Sequence, residues 1–221
     1  MQKIGEFWVP DIDALPGRNL ERSKEGFEKR QGIQIHHLRR ALELVPGRAV
    51  AVDGGANVGA WTREMALHFG HVHAFEPNTD AFQCLERNVE EWGIRDRVSL
   101  HPKAISDRHG YVTVAPPKAE ARTVTSRICG PGPTECISID ELQLDACSFL
   151  KFDLEGHEAN AIRGATKTLK QFSPWVLIEN RRPGSIFGWL GTRAEWELRI
   201  RGYRLVEKIG DHKLDWLYAP A

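Results

Sequence analysis

Three short apolar runs each end on a carboxylate: AVAVD at 49–53, HVHAFE at 71–76 and SFLKFD at 148–153. The first of these, Asp53, leads directly into GGANVGAWT, which places Gly54, Gly55, Asn57 and Gly59 within a few positions of one another. Glycine there lets a backbone and a ligand approach closely. The spacing is GGxxxG, not the GxGxxG that seats a dinucleotide's pyrophosphate on a helix N-terminus. A carboxylate directly before the turn would repel a pyrophosphate, yet it can bind the ammonium of an amino-acid moiety. S-adenosyl-L-methionine carries such a moiety and no phosphate. The second carboxylate, Glu76, follows about 20 residues later, where an acidic side chain can accept both hydroxyls of a ribose, and Pro77 ends its run.

The third carboxylate opens a richer cluster, FLKFDLEGHEANAIRGA at 149–165. Asp153 closes the apolar run, Gly156 permits a turn, and Glu155 and Glu158 flank the start of a helix whose positive dipole end tolerates acidic groups. Capping accounts for Glu158. Asp153 and Glu155 remain as candidates for taking a proton from an acceptor, with Glu179 at the end of a later run. His157 is a further candidate by its ordinary titration range, against a plain place at the start of the helix. In KAISDRHG (103–110), Ala104, Ile105 and Asp107 could offer an adenine backbone groups, an apolar face and an acceptor, although a simple turn uses the same residues. The carboxylates could also hold a divalent cation through hard oxygen ligands, but their arrangement cannot be counted from sequence, so no metal site is expected.

The elements that must position these residues alternate. The pattern predicts a helix near 34–44, strand 49–53, helix 59–69, strand 71–76, helix 79–92 and strand 97–102, then strand 148–153, helix 157–171 and strand 174–180. Strands and helices alternating at this spacing imply βαβ units around a parallel sheet with helices on both faces. A helix near 193–201 precedes YRLVEKI (203–209) and LDWLYAP (214–220), whose short connection makes them antiparallel. Between 110 and 139 the short runs YVTVA and ECISI flank a proline-rich stretch, read as an inserted hairpin or flap. Residues 1–35 hold Pro10, Pro16 and Gly17 with no sustained period, and form a loop-rich arm ahead of a single domain at 36–221.

Lys and Arg together number 30, as do Asp and Glu, so no general attraction draws the chain to nucleic acid or an anionic membrane. No apolar run approaches the roughly 20 residues of a membrane span, which suits a cytoplasmic protein. Cys84, Cys129, Cys136 and Cys147 form no CxxC pair and are expected as reduced, mostly buried thiols. His36 and His37 are adjacent on a helix and are expected to serve packing or the surface. Trp189 and Trp196 suit the core better than a stacking platform, and Arg181 and Arg182 could hold an acidic acceptor or simply be solvated.

Taken in order, VDGGANVGAWT, FEPNTDAF, AISDRHG, SIDEL, LKFDLEGHEANAIRGA and VLIEN resemble the FkbM methyltransferases, a family of class I S-adenosylmethionine-dependent enzymes, over about residues 48–180. The resemblance implies a Rossmann-like fold with a seven-stranded sheet in the order 3-2-1-4-5-7-6, mostly parallel with the last strand reversed. It also implies Asp53, Gly54, Gly55, Asn57 and Gly59 around the methionine end of the cofactor, Glu76 on its ribose and Asp153 near the transferring methyl. Family members mostly methylate hydroxyls, so the implied acceptor is a small molecule, sugar or glycan. The alternatives are a nucleic-acid methyltransferase, disfavoured by the neutral charge and by FDLE where base-amino enzymes carry [DNS]PP[YFW], and a non-catalytic S-adenosylmethionine-binding module. No oligomeric state follows from the sequence.

Overall fold

The computed structural model of the chain describes residues 1–11, 35–115, 127–128, 130–180, 193–210 and 214–221. It begins with an antiparallel hairpin, β1 (Gln2–Ile4) and β2 (Phe7–Val9), where the sequence suggested only a loop-rich arm. Strands this short show no periodicity in sequence. Their stability comes from docking: Trp8 donates its backbone N–H to Asn88 Oδ1 at 2.7 Å, while Asn88 Nδ2 donates to Trp8 O and Val58 O. Ile4 and Val9 are buried with Val58 and Cys84.

Helix α1, described over 35–44, precedes β3 (Val50–Gly54), α2 (Ala60–His68), β4 (His71–Phe75), α3 (Thr79–Glu91) and β5 (Val98–His101). The inserted region comprises β6 (Ala104–Ile105), β7 (Gly110–Val112), β8 (Val114–Ala115), β9 (Arg127–Ile128) and β10 (Thr134–Ile137). Here β10 pairs in parallel with β6 and antiparallel with β7, and β8 pairs with β9. The alternation resumes with β11 (Phe149–Phe152), α4 (Glu158–Arg163), α5 (Thr166–Phe172), β12 (Trp175–Glu179), α6 (Arg193–Arg199), β13 (Tyr203–Ile209) and β14 (Asp215–Pro220).

The main sheet has seven strands in the order β5-β4-β3-β11-β12-β14-β13, which is 3-2-1-4-5-7-6 when its strands are counted along the chain. Every neighbouring pair is parallel except those made by β14. One face buries Ala51, Val72, Ala74, Phe149, Leu177 and Leu217 against α1, α2 and α3. The alternate residues Val52, Phe75, Leu150, Phe152, Ile178 and Tyr218 face α4, α5 and α6. This period-two division is what strands covered on both sides require.

The helix expected over 157–171 is two helices, divided at Gly164–Ala165. A Cβ at Gly164 would lie 2.1 Å from Ser106 O, so the chain there is pressed against the turn after β6. Asp140, in the SIDEL stretch, then accepts from Lys167 N and Thr168 N and caps α5. Trp196 is 49% exposed on α6, contrary to its expected place in the core. Cys84, Cys136 and Cys147 are buried, and among the described residues no helix is long and apolar enough to cross a membrane. Arg181, Arg182, Trp189 and Cys129 lie outside the described residues.

Candidate active site

Strand register sets one level across the sheet. Gly54 lies beside Phe75 and Phe152, Phe152 beside Ile178, and Ile178 beside Trp216. One residue further along the parallel strands come Glu76, Gly55, Asp153 and Glu179, and Asp215 on the reversed strand pairs with Glu179. Four carboxylates and one glycine therefore form a row beyond the strand ends, the usual place for a ligand in an open α/β sheet. All five line a cleft of about 1180 Å³, measured out to its open mouth. Asn57, Trp61, Ala104, Ile105, Lys151 and Glu155 also face this cleft.

Glu76 is held by main chain. Its Oε2 accepts from Asn57 N at 2.9 Å and its Oε1 from Asn78 N at 2.8 Å. Burial pushes its pKa up to about 7, even though these two amides favour the ionised form. An ionised carboxylate has about four acceptor sites, so two amide bonds leave capacity for a ligand's hydroxyls.

Asp53 stands one level below the row and does not line the cleft. It is wholly buried, accepts from Thr62 Oγ1 at 2.7 Å, and its Oδ1 lies 2.9 Å from Lys151 Nζ. Lys151 is its cross-strand partner. A direct grip of Asp53 on a ligand's ammonium, expected from its place before the turn, therefore gives way to an internal ion pair.

The glycines also answer to the protein itself. A Cβ at Gly55, where φ is +76°, would sit 2.0 Å from Asp153 O, and one at Gly59, where φ is +94°, would sit 2.6 Å from Leu85 Cδ1. The close approach that excludes a side chain at these two positions is made by neighbouring chain. Gly54 and Gly59 shape the turn without lining the cleft, whereas Gly55 and Asn57 face it. Asn57 adopts a left-handed φ of +51°, which a short polar side chain tolerates best, and its Oδ1 accepts from Val58 N at 2.8 Å.

On the other side, Asp153 Oδ1 is buried with no hydrogen-bond partner among the described residues. Glu155 follows at φ +54°, a costly conformation for a residue with a Cβ, and such strain concentrates at functional sites. Glu158 secures this turn by accepting from Leu154 N and Gly156 N, both at 3.0 Å; these amides precede α4, so the side chain braces the turn in place of the expected capping of the helix. Asp153, Glu155 and Glu179 each bring one oxygen within 4.8 Å of the other two, a spacing that could share a cation and that acidic groups also adopt without one. Asp215 Oδ2 meets His37 Nδ1 at 2.9 Å.

Two more expected site residues stand away from the cleft. His157 is engaged by Ser106 Oγ at 3.0 Å and by Asn160, and burial lowers its pKa. Asp107 accepts from Ser106 Oγ at 3.3 Å and does not line the cleft, unlike Ala104 and Ile105. Sequence reasoning overlooked Lys151, Trp61 and Asp215. Lys151 left a signal, as the only charge inside the apolar run FLKF; Asp215 left none, because only the reversal of β14 brings its first residue to the ligand end of the sheet.

The strand order and the cleft at the carboxyl ends define a class I methyltransferase fold. Solved structures of this kind include an FkbM methyltransferase from Methylobacillus flagellatus KT, at TM-score 0.54 and 20% identity, covering 78% of this chain and 43% of that one. A precorrin 8w decarboxylase from Methanobacterium thermoautotrophicum is similar at TM-score 0.51 and 16% identity over 100% of both chains. The magnesium protoporphyrin IX methyltransferase of Synechocystis PCC 6803, solved with bound SAM, gives TM-score 0.51 and 9% identity over 96% of this chain and 88% of its own. This chain thus spans less than half the length of the Methylobacillus protein. Comparison with curated proteins finds no match. Residues 53–205 match the methyltransferase FkbM domain, and the chain belongs to the FkbM methyltransferase family.

Proposed function

We propose that this chain transfers a methyl group from S-adenosyl-L-methionine to a hydroxyl of a small molecule, sugar or glycan. The observation that supports the reading is the row Glu76–Gly55–Asp153–Glu179, which brings carboxylates onto one cleft on either side of a glycine. The residues suit the cofactor: Glu76 for the ribose hydroxyls, the backbone at Gly55 and Asn57 for the methionine end, and Ala104 and Ile105 as an apolar wall for the adenine. Gly54 and Gly59 shape the turn, and Asp53 supports it from behind through Lys151. Bound there, the cofactor supplies a methyl carbon already activated by its sulfonium.

The protein's part is alignment and proton removal. Asp153, with a buried oxygen that no described residue engages, takes the hydroxyl proton as the acceptor oxygen attacks. Glu155 and Glu179 flank it and orient the acceptor. His157 and Asp107, turned toward Ser106, support the turn and the helix start rather than the reaction. The protein works in the cytoplasm, a compartment that keeps its buried thiols reduced.

Calorimetry with S-adenosylhomocysteine and with NAD tests the cofactor assignment; equal affinity for NAD would sink it. Mass spectrometry of extracts treated with enzyme and cofactor, searched for the gain of one methyl, then identifies the acceptor. Methylated nucleic acid in place of a hydroxyl compound would overturn the acceptor class.

A further inference from the structure

Lys151 is a charged side chain inside an apolar strand, 6% exposed, in the middle of the sheet. Its Nζ lies 2.9 Å from Asp53 Oδ1, 3.1 Å from Gly54 O and 2.9 Å from Gly55 O. The two carbonyls accept hydrogen bonds from the ammonium, and Asp53 balances its charge as an ion pair. The ring of Trp61, 5.4 Å away, adds a further favourable neighbour for the charge. Burial alone would lower the pKa of this ammonium, but Asp53 and Asp153 outweigh it and hold the group above the ordinary lysine value.

Both acceptors are carbonyls of the glycine turn itself. Glycine has more conformations to lose than any other residue, so a turn built on Gly54–Gly55 needs an outside tether to hold one shape. Lys151 supplies it from β11, two residues before Asp153. The same turn rests on Asp153 O at the point where Gly55 admits no side chain. The turn that faces the methionine end and the strand that bears the proton acceptor are thus joined twice: Asp153 N donates to Gly54 O at 3.1 Å, and Lys151 adds the side-chain bond that also reaches Gly55 O. In-line transfer is sensitive to displacements of about 1 Å between reacting groups, which makes such a tether consequential.

We propose that Lys151 is a positioning residue for methyl transfer, tying the Gly54–Gly55 turn to the strand that carries Asp153. The inference rests on the methyl-transfer reading above. It competes with a simpler role, in which Lys151 only neutralises the buried charge of Asp53.

The two roles separate in a set of variants titrated with S-adenosylhomocysteine, with thermal unfolding recorded alongside. Lys151→Met alone leaves a buried unpaired carboxylate and is expected to unfold readily. Asp53→Asn/Lys151→Met removes both charges at similar volume. It is expected to recover most of the lost stability yet to bind at least ~10-fold more weakly than Asp53→Asn, because the turn has lost its tether. Lys151→Arg is the second arm, since it keeps the charge but changes its reach, and the same loss of at least ~10-fold is expected in a protein that stays folded. Affinity equal to Asp53→Asn in the double variant, or equal to the unaltered protein in Lys151→Arg, would reduce Lys151 to a counter-charge and overturn the proposal. Failure of the underlying reading shows separately, as no binding by the unaltered protein, and the proposal falls with it.

Discussion

The two ends of the carboxylate row are held in opposite ways. Around Glu76, backbone amides from two different segments fix the carboxylate from both oxygens, and the strands beneath it are a continuous parallel ladder. Around Asp153, one carboxylate oxygen has no described hydrogen-bond partner, Glu155 two residues on holds a left-handed φ, and the neighbouring Asp215 comes from a strand of reversed direction. The first region holds one geometry, which on the proposed reading suits the invariant ribose of the cofactor. The second keeps acceptor capacity open and stores strain, the pattern expected where a proton must be received and where substrates differ.

The contrast can be broken most severely at its centre. Gly55→Ala places a Cβ against Asp153 O in a left-handed conformation, and the combined strain and overpacking should cost about 2–5 kcal/mol. Denaturant unfolding would record it as a lowered midpoint; a variant as stable as the parent would mean that turn and strand are not held in contact.

On the open side, Asp153→Asn preserves shape and removes the charge, so turnover should fall by at least about 100-fold with cofactor affinity nearly unchanged. Glu155→Gln should fall between this variant and the parent. Full turnover in a folded, saturated Asp153→Asn protein would move the proton acceptor to Glu179 or Asp215.

On the closed side, Glu76→Ala should fold and lose about 1.5–3 kcal/mol of S-adenosylhomocysteine affinity, the scale of charge-assisted hydrogen bonds. Because burial puts its pKa at about 7, Glu76 gains its charge within the working range. The ionised form is the one that accepts from both ribose hydroxyls, so affinity should rise as pH increases through this value and flatten in Glu76→Gln. A pH-independent titration of the parent protein would contradict the ribose assignment.

The smallest effect lies at the sheet edge. His73 Nδ1 and His101 Nε2 are 3.1 Å apart, and burial lowers the pKa of each to about 4 from 6.5. Between those values the unfolded chain binds protons that the native chain refuses, so stability present above 6.5 is lost as pH falls toward 4. The pair His73→Gln/His101→Gln should flatten this acid slope in thermal unfolding without altering cofactor affinity at neutral pH.

Much of this organisation is legible in the residues. Apolar runs ending in Asp53, Glu76 and Asp153 mark strands whose exits carry polar groups, since a run of that length buried on both faces leaves few other places for a carboxylate. The glycine spacing and the alternation of periods two and 3.6 lead to the parallel sheet, and the closely spaced final strands to its reversal. What a run of letters cannot convey is which strands become neighbours and at what level. Register makes Asp53 and Lys151 partners and withdraws the carboxylate from the cleft; it also presses Gly55 against Asp153. Reversal of β14 brings Asp215 to the ligand end, and packing at Ser106 turns His157 aside. Local composition decides what each segment can become, because helix and strand periods are short-range properties. Which charges meet, and which are left facing the cleft, is decided by contacts between residues nearly a hundred positions apart, and only the folded sheet brings these together.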